Sequence, residues 1–280
     1  MRELDTGRIR EAVKDLIIRT NLYESPDMTE ALKKASEDET SDTGREILSM
    51  LLKNLEIARE DRVPVCQDTG MSVLFIEVGQ EVHLVGDYIG DAVDQGVREA
   101  CVDGHLRASV VGDPIIRENT GDNTPAVIHY SLVPGDKVRI TAAPKGFGSE
   151  NMSRLAMLKP ADGIDGVKKF ILETVENADA NACPPYVVGV GIGGDFEQCA
   201  LMSKKALTRE CGSNSGIPWV RELEKEMLEK INESGIGPAG LGGAVTALAV
   251  NVETGPTHIA GLPVAVNMCC HVCRHAHAEI

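Results

Sequence analysis

A chain of 280 residues, 42% of them hydrophobic, is long enough for one large domain or two intimately packed lobes around a real core. With aromatics at 3%, that core is aliphatic. A net charge of −15 and no basic run argue against nucleic acid or a membrane surface, and no stretch approaches the ~20 apolar residues of a membrane span.

In chain order, residues 7–59 read as helices. Ile9, Val13, Leu16 and Ile17 recur at helical spacing, Ser25-Pro26-Asp27 starts a second helix, and Ile47 to Leu55 carry a third apolar face. Pro64 ends the pattern. Residues 72–78 read as a mostly buried strand and 91–101 as a helix. Residues 126–132 and 137–141, joined by Pro134-Gly135-Asp136, predict a β-hairpin. A helix over 164–175 and a strand over 186–192 follow, then a helix opened by Gly193-Gly194-Asp195. Residues 219–231 form a charged amphipathic helix, 235–243 a glycine-rich loop, and 245–252 and 262–267 strands. The fold class is mixed α/β, with a helical N-terminal region of about 60 residues and sheets beyond it. No clean strand–helix alternation demands a doubly wound fold.

The N-terminus MRELDTGRIREAV is charged and helical in pattern, which is not a signal peptide. The expected compartment is the cytoplasm, where thiols stay reduced. The eight cysteines therefore point to metal binding or catalysis rather than disulfides.

Three groups compete as sites. GVGIGG at 189–194 fits G-x-G-x-x-G, but a dinucleotide needs those glycines in the turn before the helix. Here Gly189 and Gly191 fall inside the strand and Asp195 caps the next helix, so close backbone packing explains them better. The C-terminal CCHVCRHAH has zinc-like composition, yet it lacks a second ligand pair at regular distance. The third group is distributed. Cys66 and Cys183 lie in turns before strands, and Cys270 follows one. Three thiolates of this kind could hold a four-iron cluster with one iron lacking a protein ligand.

The stretches VCQDTG, RENTGDNTPA, KGFGSENMSRL, ACPPYVVGVGIGG and THIAGLPVAVN resemble, in order and over nearly the whole chain, the α-subunit part of the class I fumarate hydratases and the related L-tartrate dehydratases. The resemblance implies a single hydro-lyase α-subunit domain over 1–280 and an oxygen-sensitive 4Fe-4S cluster held by Cys66, Cys183 and Cys270. Cys270 is chosen over Cys269 and Cys273 because it precedes an arginine, Arg274, by four positions. Cys101, Cys199 and Cys211 match no ligand motif. The resemblance further implies Asp68 and His258 as catalytic residues, with Gln67, Asp68, Arg107 and Gly148 meeting the substrate. It implies a separate β subunit completing the site, in a heterotetramer or around an α dimer. The expected reaction is reversible hydration of fumarate to L-malate, with dehydration of L-tartrate as the alternative. An electron-transfer or sensor subunit, the alternative of another class, would ordinarily use four cysteines.

Overall fold

A computed structural model describes residues 1–280. The chain divides into two compact units. The first comprises Met1–Ser25, Asn54–Phe147 and Arg274–Ile280, and the second Pro26–Lys53 and Gly148–Cys273. No helix is long and apolar enough to cross a membrane.

The chain opens with β1 (Arg2–Asp5) and α1 (Thr6–Leu22), and the other two N-terminal helices are α2 (Pro26–Asp38) and α3 (Asp42–Asp61). In the first unit follow β2 (Val73–Gly79), β3 (Val82–Val85), α4 (Ile89–Asp103), β4 (Val127–Val133) and β5 (Val138–Ala142). Its last strand, Ala276–Glu279, completes a four-stranded sheet beside β5, and β1 pairs in parallel with β3. Ile9, Val13, Leu16 and Ile17 of α1 and Val93, Val97 and Ala100 of α4 bury against Leu74, Ile76, Ile140 and Ala142 of this sheet. The α1 stripe is the i, i+4, i+7, i+8 pattern of its sequence.

The expected hairpin does not form. β4 and β5 are joined by the Pro134–Asp136 turn, but β2 lies between them, parallel to β4 and antiparallel to β5. The physical reason is burial. VLFIEVG buries its first four residues, whereas β4, VIHYSLV, buries none, so the most apolar strand takes the interior place and the polar one the edge. The turn still receives backbone bonds, from Gln80 N to Val133 O (2.7 Å) and Glu81 N to Gly135 O (2.9 Å).

The short α5 (Phe147–Glu150) precedes the second unit's main elements: β6 (Arg154–Leu158), α6 (Gly163–Ala178), β7 (Tyr186–Gly194), α7 (Phe196–Ala206), α8 (Pro218–Glu233), β8 (Ala247–Thr257) and β9 (Leu262–Cys269). The final strand Ala276–Glu279 is β10. The sheet order is β6-β9-β7-β8, with β7 parallel to β8 and antiparallel to β9. One face, including Val188, Val190, Val266 and Met268, packs on α6 and α8. On the other face α7 sits close against β7. A Cβ on Gly189 would stand 2.2 Å from the Ser203 carbonyl oxygen, and one on Gly191 2.0 Å from that of Cys199. The two glycines are thus the contact surface for a helix, as their place inside the strand predicts. Asp195 caps α7, accepting from Glu197 N (3.1 Å) and Gln198 N (2.8 Å).

Strands β1, β3, β6 and β10 were not expected. Each has only four or five residues, too few to show a period, and β10 depends on β5 for pairing, far away in sequence.

Candidate active site

In the first unit the loop Val65–Met71 is held at Val65 and again from Asp68 to Met71. Val65 donates from its backbone N to Asn21 O (2.9 Å) and accepts from Asn54 Nδ2 (2.8 Å). Arg274 Nη2 donates to the Asp68 carbonyl (2.9 Å), and Thr69 Oγ1 donates to Arg107 O (2.8 Å). The Gly70 carbonyl accepts from Asn123 Nδ2 (3.0 Å), and Met71 exchanges backbone bonds with Lys145. Cys66 is half-buried, Gln67 exposed and Asp68 half-buried, while Thr69 and Gly70 are buried. The loop thus hides its anchoring residues and presents the three before them.

The Asp68 carboxylate accepts from two backbone amides: Gly70 N on Oδ1 (3.0 Å) and Phe147 N on Oδ2 (2.9 Å). Gly146 makes room for it, because a Cβ there would lie 3.1 Å from Oδ2. Arg107 is exposed and lies beyond the end of α4, in a loop rather than on a helix. Its backbone is fixed by Thr69, and the neighbouring Ser109 N donates to Asn123 Oδ1 (2.9 Å). Asn123 is buried with a left-handed backbone, φ 62°. Beside it, burial pushes the Asp122 carboxyl up, but two bonds from Thr124 and the Arg98 guanidinium (2.7 Å) outweigh this and bring it down to about 2.

In the second unit, Cys183 and Cys270 come to the same end of the sheet. β7 begins at Tyr186 and Val187 pairs with Cys269. Cys183 is exposed at the turn before β7, with φ 55°, and Cys270 is half-buried just after β9. The turns are tied together, since His271 donates to the Cys183 carbonyl from its backbone N (3.4 Å) and contacts it with Nδ1 (3.2 Å). Burial holds the His271 imidazole below its ordinary range, against the raising effect of that bond. Gly148 is at this end too, and a Cβ on it would lie 3.8 Å from the Asn181 carbonyl. The glycine-rich loop supports the Cys183 turn, with Ala239 N donating to Pro184 O (3.0 Å).

His258 is not brought to this end. It is exposed on the turn from β8 to β9, where Thr257 is level with Gly194. The nine residues of β7 separate it from the cysteines by roughly 25 Å.

Cys269 and Cys273 are buried with Met28, Val187, Leu207 and Ala249. Cys273 Sγ points to Leu207 O (3.5 Å). Burial pushes the Cys101 and Cys199 thiols up, which disfavours the thiolate a metal needs. Within neither unit do three His, Cys, Asp or Glu side chains gather around a metal position.

The family model described as fumarate hydratase (fumerase) matches residues 10–279. This chain belongs to that family. It is 41% identical over 279 residues to a Methanocaldococcus jannaschii protein provisionally named L(+)-tartrate dehydratase subunit alpha, covering 98% of each chain. It is 33% identical over 282 residues to the L(+)-tartrate dehydratase subunit alpha of Escherichia coli strain UTI89, covering 98% of this chain and 92% of that one. The strain K12 protein of the same name is 32% identical over 281 residues, with the same coverage. As a member of the fumarate hydratase family the chain is a hydro-lyase.

Sequence reasoning gave no anchoring role to Asn21, Thr69, Asn123 or Lys145. Asn123 stands in the RENTGDNTPA stretch and Lys145 in KGFGSEN, so the motifs contained the signal without indicating a supporting role.

Proposed function

We propose that this chain is the α subunit of a cytoplasmic 4Fe-4S hydro-lyase for a four-carbon dicarboxylate, reversibly hydrating fumarate to L-malate. The observation that carries the reading is the pairing of Cys183 with Cys270. Two cysteine thiols outside any disulfide at one sheet end, in turns rather than in the core, are the donor chemistry an iron–sulfur cluster requires. Cys66, half-buried and likewise outside any disulfide, is the third ligand in this reading, and the chemistry of the set fits the group. When bound, a cluster with three thiolate ligands supplies one open iron, a Lewis acid for the substrate's hydroxyl or for water.

The chain's own residues have the remaining roles. The Asp68 carboxylate, oriented by two amides, moves the proton at the carbon next to the one that gains or loses hydroxyl. Arg107 offers an exposed fork to one substrate carboxylate. Gln67 and the open backbone of Gly148 orient the substrate. A separate β subunit supplies the cations for the second carboxylate, which is why the relatives' designation as subunits supports a heteromeric enzyme. In this reading His258 has no part in the pocket of its own chain.

The relatives' names support a second reading, dehydration of L-tartrate. The test is anaerobic reconstitution with the β subunit, followed by iron and sulfide analysis and assays on both substrates. About four irons and four sulfides per α chain, with fumarate hydration, is the expected result. Turnover of L-tartrate alone would select the second reading, and a loaded cluster with neither activity would overturn both.

A further inference from the structure

We propose that Arg274 is a positioning residue for Asp68: its buried guanidinium, braced by Asn21, fixes the peptide that sets the direction of the Asp68 carboxylate. The inference rests on the reading of Asp68 as the proton-transfer group.

The geometry is a clasp. Arg274 is 4% exposed. Nη2 donates to the Asp68 carbonyl at 2.9 Å, and Nη1 to Asn21 Oδ1 at 2.8 Å. Asn21, 1% exposed, is locked in turn. Its Nδ2 donates to Ile17 O (2.9 Å), one turn back on α1, which leaves Oδ1 facing the guanidinium. The Asn21 backbone carbonyl accepts from Val65 N (2.9 Å). One asparagine therefore holds both ends of the Val65–Asp68 segment, one directly and one through Arg274. Between those ends stand Cys66 and Gln67.

The chemistry of the pair favours positioning over stability. Arg274 Nε is buried with no hydrogen-bond partner. A buried cation with an unpaired N–H is a poor source of folding free energy compared with an apolar residue of similar volume. A planar fork between two fixed oxygens is, by contrast, a rigid way to set a peptide plane. Asp68 depends on that plane. Its carboxylate is gripped at Oδ1 by Gly70 N, two residues on, and at Oδ2 by Phe147 N. If the Asp68 carbonyl turns, the carboxylate loses the first grip and rotates away from the second.

The test uses the reconstituted two-subunit enzyme and four variants: Arg274→Gln, Arg274→Lys, Asp68→Asn and the double variant Arg274→Gln/Asp68→Asn. Arg274→Gln is expected to lower kcat by about ten- to a hundredfold, the usual cost of losing a supporting partner. KM and iron content should stay within about twofold. Amides 66–70 should exchange deuterium faster, and Arg274→Lys should recover part of kcat because an ammonium reaches one of the two oxygens. In the double variant kcat should equal that of Asp68→Asn, since a residue acting through Asp68 has nothing further to lose. Losses that multiply in the double variant, an unchanged kcat, or a kcat loss matched by lost folded protein would overturn the proposal. If Asp68→Asn alone kept full kcat, the proton-transfer reading would fail by itself. Unchanged exchange at 66–70 in Arg274→Gln would separately refute the clasp.

Discussion

The Glu39 carboxylate accepts from the backbone N–H of Val245 at 2.9 Å, across 206 residues of sequence. The same group accepts from Thr40 N (2.8 Å), Ser41 N (2.8 Å) and Ala244 N (2.9 Å), and the residue is 1% exposed. It joins the start of α3 to the end of the glycine-rich loop, whose other side supports the Cys183 turn. Glu39→Gln puts an NH2 where N–H donors converge and should cost about 3 kcal/mol, read as a lower urea midpoint at unchanged slope.

Burial pushes the Glu39 carboxyl up, but the four amides outweigh it, so its folded pKa lies below the ordinary 4.5. A depressed pKa contributes stability that is complete above the unfolded value and lost as pH falls through the folded one. The wild-type chain should therefore lose stability below about pH 5 more steeply than Glu39→Gln. Thermal melts of both proteins between neutral and acid pH check this. Parallel curves would remove Glu39 as the cause.

Serine at Cys66, Cys183 or Cys270 should abolish retention of iron and sulfide after anaerobic reconstitution. Cys211→Ser should not, because Cys211 lies in no ligand motif and its backbone N, which the substitution keeps, is what Asp27 Oδ2 holds (2.7 Å). The readout is metal per chain and the EPR signal after mild oxidation. Equal iron in all four variants would refute the ligand set.

Gly191→Ala should destabilise the second unit by about 3 kcal/mol, since the new methyl meets the fixed backbone of α7. Gly216→Ala is the control, with nothing within 4 Å of the added carbon. Calorimetry should show a clear drop in Tm for the first and little change for the second.

Asn123→Ala leaves the Gly70 carbonyl and the Ser109 N–H without their partners and forces alanine into a left-handed backbone. The expected loss is about 3 kcal/mol. Asn123→Gly should be milder by about 1 kcal/mol because glycine tolerates that conformation. Urea titration of the two variants ranks them, and equal losses would show that backbone strain plays no part.

Much of the helical structure was legible because its signals are local. α1 shows its stripe within nine residues, Pro26 starts α2, and Asp195 caps α7. The candidate ligands were legible for a similar reason. Cys66 and Cys183 sit among turn-forming residues, where a thiol has little packing to do, and Cys270 follows a strand. By contrast, the pairing of β2 with both β4 and β5 was not legible. Adjacent strands across a turn read as a hairpin, and only competition for the buried interior separates them.

Residues read in order were enough to indicate the family, the order of most elements, and the candidate ligands and acids. Those are properties of residue type and short spacing. Only the folded chain brings Arg274 to Asp68, buries Glu39 among four backbone donors while most carboxylates stay exposed, and sets His258 at the far end of the sheet from Cys183 and Cys270. Each of these depends on contacts or strand directions between distant segments. Those are set when the whole chain competes to bury apolar surface and pair its backbone, not by any short run of residues.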